Sequence, residues 1–400
     1  MTDLLKEQLQ FLLSESVPIA EERALTTFDN QLALCKGQLV LYGCGSMGLK
    51  VLHCLRMHGI EPLAVADGNP QSWGKSWAGM SILSLAEAVE RYGDQAGFLV
   101  TIYNPTNSFL EISRQLHMAG CHLVFSLIPL RWKFHQEFLP YLRDDLPHKV
   151  LLKQERVLRG YDVFSDNFSR REYVAQVHWR LHADYEQLPM PQTENEYFPD
   201  DLFDIGNDWF FVDIGAYDGD TVAAFIKKCY GNYRKIMAIE PDPRNFQKLM
   251  AYLNTLPENL KQRIFPFPYA AASRAGQIRF SSGKDEQSSV ADEGQIVVEG
   301  RTLDELAFSD VPDYIKIDAE GAELDILSGA QRVLNVNRPI VAACAYHYQN
   351  HLWEVPLALH SHCYRYNFHI RAHRPDCWDT VCYAVPEERL KNKSRLKNFI

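Results

Sequence analysis

The sequence predicts an α/β protein of two domains, each a mainly parallel sheet wrapped by helices. Two observations carry this. A glycine loop stands between an apolar strand and a helix twice, after residue 42 and again after Asp213. Around each loop, short apolar runs alternate with segments of helical spacing, the grammar of βαβ units. At 400 residues the chain is too long for one ordinary domain and fits two. The expected division is 1–150 with leading helices, a helical connector and linker over 151–207, and 208–400. Both main domains are expected to be Rossmann-like.

Residues 1–36 read as one or two helices. Residues 38–42 form a short β run, 43–48 the glycine loop, 49–57 a helix by spacing, and 62–66 a strand ending at Asp67. Segments 98–102 and 123–125 read as further buried strands. Over 150–208 the alternation stops. There 165–185 reads as a helix, with Phe168, Tyr173, Val174, Val177 and Leu181 near helical spacing. Residues 188–203 carry three prolines and many acids, as a linker or cover segment would. The second series runs strand 209–214, helix 220–229, strand 235–239, helix 244–253, strand 314–317, helix 322–334 and strand 340–345. Segments 364–371 and 380–384 are closing strands.

The net charge of −10 argues against a nucleic-acid partner, whose phosphates call for a basic surface. Nine cysteines, none in a CxxC pair, read as free thiols in a reducing compartment. No apolar run approaches the roughly 20 residues that span a bilayer, and residues 1–27 lack the order of a signal peptide. The expectation is a cytoplasmic protein with no membrane or nucleic-acid partner; its oligomeric state is left open.

The strongest motif is Phe211-Val212-Asp213-Ile214-Gly215-Ala216-Tyr217-Asp218-Gly219-Asp220-Thr221. Asp213 ends a strand, and Gly215 and Gly219 are expected to let backbone approach a ligand. In Ala238-Ile239-Glu240-Pro241 an acid closes the next strand, where it can accept both hydroxyls of a ribose. Asp220, directly after Gly219, would repel a pyrophosphate but suits a cationic ligand. A third motif, Lys316-Ile317-Asp318-Ala319-Glu320-Gly321-Ala322-Glu323, ends a strand in three carboxylates. Glu323 reads as a first-turn acid favouring the following helix dipole, Asp318 as a functional group, and Glu320 is divided between the two. His347, past the next strand, places an imidazole beside them.

These motifs, with RTLDEL, CAYHYQNHLWEVPLAL and the tail from YRYNFHIRAH to DTVCYAV, resemble the FkbM family of methyltransferases. The resemblance runs from about residue 160 to 386, and KIDAEGAE and the YH…LWE run are its most specific parts. It implies a class I methyltransferase fold, S-adenosylmethionine as donor, and usually O-methylation of a sugar or natural product. It places Asp213, Gly215, Ala216, Gly219 and Glu240, with the adjoining Pro241, around the donor. Tyr217 stands where many members have Asn, and Ala319 where Val is usual.

The acceptor is then expected to be a small molecule or saccharide. Loss of its hydroxyl proton calls for a base, and His347 is the candidate, with Asp318 orienting it or the acceptor. A second scheme holds a divalent ion on Asp318 and Glu320. His360, His362, Cys363, His369 and His373 do not form a recognised metal pattern and read as surface or strand residues.

In the first half, Gly43, Gly45 and Gly48 form a GxGxxG after a strand, with Asp67 ending the next strand. Together with Trp73-Gly74-Lys75 and Ala78-Gly79-Met80, this resembles nucleotide-sugar-binding domains over residues 38–90. A second nucleotide site and a purely structural domain both remain open. The competing functions are an NAD(P)-dependent oxidoreductase, which lacks a Tyr-x-x-x-Lys pair here, and a non-catalytic nucleotide-binding protein.

Overall fold

A computed structural model describes residues 3–281, 289–290, 296–307 and 310–391. It divides into two compact units: Met1–Leu158 with Arg171–Pro191 and Arg374–Trp378, and Arg159–Arg170 with Gln192–His373 and Asp379–Ile400.

The first unit opens with helices α1 (Leu4–Leu13) and α2 (Val17–Leu34). Its sheet comprises β1 (Leu39–Tyr42), β2 (Ala64–Ala66), β3 (Ser76–Trp77), β4 (Met80–Leu83), β5 (Gly97–Val100) and β6 (Leu123–Phe125). Helix α3 (Ser46–Met57) follows β1, α4 (Leu85–Tyr92) follows β4 and α5 (Phe109–Ala119) follows β5. The order is β3-β4-β2-β1-β5-β6, parallel except for β3. Leu39, Leu41, Val65 and Leu99 pack on one face, and Val40, Ala64, Ala66, Phe98 and Val100 on the other. Both faces being covered, the strands read as unbroken apolar runs. The chain leaves β1 toward β2 on one side and reaches β5 on the other. That reversal is where an open α/β sheet takes a ligand. Helix α3 starts at Ser46 rather than at 49, so the glycine loop is shorter than expected.

Helices α6 (Ile128–Lys133), α7 (His135–Phe138) and α8 (His148–Leu151) follow, and the division between units falls within α9 (Gln154–Val163) and α10 (Asn167–His182). The expected helix 165–185 is α10. Tyr173, Val174, Val177 and Leu181 are buried, whereas Phe168 is exposed.

In the second unit the strands β7 (Trp209–Ile214), β8 (Tyr233–Ile239) and β9 (Ile264–Phe267) alternate with helices α11 (Asp220–Lys228), α12 (Pro243–Leu253) and the short α13 (Glu258–Lys261). Next come β10 (Tyr269–Ala271), β11 (Gly276–Ser281), β12 (Ser289–Val290), β13 (Ile296–Arg301) and α14 (Leu303–Leu306). The unit ends with β14 (Tyr314–Ile317), α15 (Glu323–Ser328), β15 (Ile340–Cys344), α16 (His351–His362), β16 (Tyr366–Ala372) and β17 (Thr380–Pro386). Seven strands form one sheet, ordered β16-β17-β15-β14-β7-β8-β9. Five are parallel; the β16–β17 hairpin runs antiparallel, with β17 paired to β15. This is the fold expected of the second domain.

Two features differ from expectation. A four-stranded sheet, β10-β13-β11-β12, occupies a stretch that sequence periodicity left blank. The helix expected over 322–334 stops at Ser328. A Cβ on Gly329 would lie 2.2 Å from the Ala272 carbonyl oxygen, and the Asp304 carboxylate accepts the N–H groups of Arg332 and Val333 to start a new turn. Of the two readings of 188–203, linker or cover, the far end is a cover: Tyr197, Phe198, Leu202 and Phe203 are buried, and Phe198 and Phe203 pack 5.5 and 5.6 Å from Tyr314.

Candidate active site

The sheet order sets β8 on one side of β7 and β14, then β15, on the other. The carboxyl ends of these four strands therefore bring together motifs far apart in sequence.

At β7 the chain turns through Gly215, whose φ is +76°. A Cβ there would sit 1.8 Å from the Asp318 carbonyl oxygen. The neighbouring strand exit therefore demands glycine here. Gly219 is likewise crowded by Tyr252, at 2.5 Å from such a Cβ. The N–H groups of Gly215 and Ala216 both donate to Ile239 O. Glu240 then closes the loop: one carboxylate oxygen accepts from Tyr217 N at 2.9 Å, the other from Asp242 N at 2.8 Å. Burial pushes the Glu240 carboxyl up to about 7 against these two backbone bonds. Pro241 follows it, and Asp242 caps α12 by accepting from Arg244 and Asn245.

Asp213 is fully buried, with Lys316 Nζ 3.2 Å from one oxygen. Burial pushes its carboxyl up to about 6, with Lys316 working the other way. Lys316 also donates to Gly215 O at 2.6 Å. Burial alone would lower its ammonium, but Asp213 and Asp318 hold it above the usual range. The sequence reading missed Lys316; its signal was a lone charge inside the apolar run Tyr314-Ile315-Lys316-Ile317.

At the exits of β14 and β15 three carboxylates meet His347. Its Nδ1 lies 2.8 Å from Glu323 Oε1; its Nε2 lies 3.4 Å from Asp318 Oδ1 and 3.5 Å from Glu320 Oε2. Tyr197 donates its hydroxyl to Asp318 Oδ2 at 2.9 Å. Glu323 is no solvated dipole partner. It is fully buried, accepts from Ala319 N at 2.9 Å, and stands 3.1 Å from His351 Nδ1. Burial works to raise its carboxyl, but His347 and His351 hold it well below the usual value. Burial works against an imidazolium at His347, but Glu323, Glu320 and Asp318 outweigh it and push the ring up to about 10. Burial pushes Glu320 up to about 7, with His347 opposing.

In the first unit, Gly43, Gly48 and Asp67 also converge. Asp67 accepts from Cys44 N at 2.9 Å and from Asn69 N at 2.8 Å. This is the same clamp that Glu240 forms, each spanning 23 residues back to its glycine loop. Gly45 is exposed, and a Cβ on it would meet nothing within 4 Å. His369 lies buried in β16 and His373 buried directly after it, the first bonded to Asp166 and the second to Gln192 O and the Tyr383 hydroxyl. Among the described residues no helix is long and apolar enough to cross a membrane.

Residues 213–371 match the family described as Methyltransferase FkbM domain, and the C-terminal part of the chain carries that domain. No curated protein matches the chain. The crystal structure of methyltransferase FkbM from Methylobacillus flagellatus KT is similar over 96% of this chain and 98% of that chain, with a TM-score of 0.76 and 21% identity. At that identity the likeness is one of fold. Precorrin-6y C5,15-methyltransferase from Geobacter metallireducens GS-15 is 14% identical over 46% of this chain and 82% of that chain, with a TM-score of 0.30. UDP-D-quinovosamine 4-dehydrogenase from Vibrio fischeri is 18% identical over 25% and 85%, with a TM-score of 0.20.

Proposed function

We propose that this protein transfers a methyl group from S-adenosylmethionine to a hydroxyl of a small-molecule or saccharide acceptor. The methyl donor follows from the family of the C-terminal part. The observation that carries the rest is the adjacency, across β7, of the Glu240 clamp and the Asp318–Glu320–His347 cluster. Glu240 accepts the ribose hydroxyls, its carboxyl group held in place by two backbone N–H groups. The backbone from Gly215 through Ala216 to Gly219 lies along the donor. Asp213, through Lys316, fixes the carbonyl of Gly215.

The sulfonium is already an activated leaving group, so the protein's main task is alignment. The S–CH3 bond breaks with its electron pair kept on sulfur, and the O–CH3 bond forms. The acceptor proton leaves to water beside the Asp318–Glu320–His347 cluster. His347 is held there by Glu323 and positions the two carboxylates that face the acceptor.

Calorimetric titration of the intact chain with S-adenosylmethionine tests the donor, and methyl transfer from labelled donor to a panel of hydroxylated acceptors tests the chemistry. Binding that is absent, or unchanged in Glu240→Ala, would overturn the donor assignment. Transfer only to amines or thiols would overturn the hydroxyl.

A further inference from the structure

We infer that Asp318, Glu320 and His347 bind one divalent cation, which in turn holds the acceptor oxygen; the second clause rests on the methyl-transfer reading. His347 is enclosed by protein, and its Nε2 has no hydrogen-bond partner. Asp318 Oδ1 is likewise buried and unpartnered. These two atoms face each other at 3.4 Å, and Glu320 Oε2 lies 3.5 Å from the same nitrogen. Donor atoms sharing a small divalent ion stand about 3 Å apart, because each lies about 2.1 Å from the metal.

The surroundings fix this pair as a ligand set. Tyr197 takes up Asp318 Oδ2, which leaves Oδ1 as the free donor. Glu323 occupies His347 Nδ1 at 2.8 Å, the outer carboxylate that orients a metal-bound imidazole and raises its basicity. Asp318, Glu323 and His347 each bring a ligand atom within 4.8 Å of the others. Glu323 Oε1 is taken by His347 Nδ1 and Ala319 N, and its Oε2 faces His351 Nδ1 at 3.1 Å on the far side of the imidazole, so the third inner ligand is Glu320, whose Oε2 lies 3.5 Å from His347 Nε2. Its φ of +49° sets the turn that carries it back over the imidazole.

Asp213, Asp318, Glu320 and Glu323 outnumber the one fixed cation, Lys316, and a metal ion in place of the His347 Nε2 proton neutralises the excess. Two oxygens and one nitrogen with open positions suit Mn²⁺ or Mg²⁺. An acceptor hydroxyl in an open position is polarised by the ion. As its oxygen takes the methyl group, its proton leaves to water.

The test uses chelator-treated, intact protein titrated with Mn²⁺, followed by calorimetry and by the paramagnetic resonance of free Mn²⁺. One ion is expected per chain. Uptake should fall at least 100-fold in Asp318→Asn and His347→Ala, and about 10–100-fold in Glu323→Gln, while His360→Ala on the exposed side of α16 binds normally. Glu320→Gln, at the most exposed ligand, guards against loss of fold, and thermal melts accompany every variant. No uptake by the wild type, or equal uptake by folded Asp318→Asn and Glu320→Gln, overturns the site and leaves a proton on Nε2 in the ion's place. Titrating S-adenosylmethionine into the same preparation separates failure of this site from failure of the donor assignment.

Discussion

His347 Nδ1 lies 2.8 Å from Glu323 Oε1, with both side chains buried and 24 residues apart in sequence. The contact exists because β14 and β15 are neighbours and each ends in a short turn at the same sheet edge. It fixes which ring nitrogen of His347 faces Asp318 and Glu320. Glu323 is therefore a positioning residue, and His347 delivers its effect.

Removing that anchor should lower turnover without touching the donor. Glu323→Gln keeps the shape and is expected to cut kcat about 10–100-fold with unchanged affinity for S-adenosylmethionine. Glu323→Ala should also lose about 3–5 kcal/mol of stability, since it strips the counter-charge from buried His347. Unchanged kcat in folded Glu323→Gln would reduce the pair to packing.

Glu240 supports two measurements. Glu240→Ala should weaken S-adenosylmethionine binding by roughly 1.5–3 kcal/mol, the worth of charged hydrogen bonds to two hydroxyls. Its raised pKa also has a sign in stability. The native state holds this proton more tightly than the unfolded chain, so the contribution is complete below about 4.5 and is lost as pH rises through about 7. Wild-type stability should fall relative to Glu240→Gln by about 2–3 kcal/mol between pH 4.5 and 8. Parallel melting curves for the two proteins across that range would refute the burial argument.

The glycine loops make opposite predictions. Gly215→Ala drives a Cβ into Asp318 O and requires a residue with a side chain at φ +76°, so it should fail to fold or melt far lower. Gly45→Val enters open space and should cost at most about 1 kcal/mol as a poorer helix cap. If the first unit takes a nucleotide-type ligand, UDP should bind the wild type and bind Gly45→Val at least tenfold more weakly. A folded Gly45→Val that binds UDP equally well would assign this loop a structural role.

The cover segment should matter to the second unit. Phe198→Ala is expected to destabilise by about 3–5 kcal/mol, as it empties the space against Tyr314, Phe211 and Phe225. Limited proteolysis should cut near exposed Met190 rather than between Tyr197 and Phe203. A fragment beginning at Asp204 should melt below one beginning at Gln192. Early cleavage at Phe198 would show the cover to be weakly held.

The sequence by itself determined the strands and loops whose signals are local. The apolar runs 209–214 and 314–317 are strands with those bounds, because strands covered on both faces leave little room for polar residues, and 123–125 is the edge strand β6. Asp213, Glu240, Asp318 and His347 were legible as site candidates because each closes or follows such a strand. The four-stranded sheet was not legible: β13 is half exposed along its length and lacks a continuous apolar signal. Nor was the end of α15, which Gly329 owes to a backbone 57 positions away. Tertiary structure alone decided the chemical state of the cluster. Whether Glu323 is a solvated helix-end acid or a buried partner of His347, and whether that imidazole keeps its ordinary pKa or is pushed up to about 10, depends on which charges share its cavity. Those charges come from separate strand exits, and only the strand order of the sheet sets them within bonding distance.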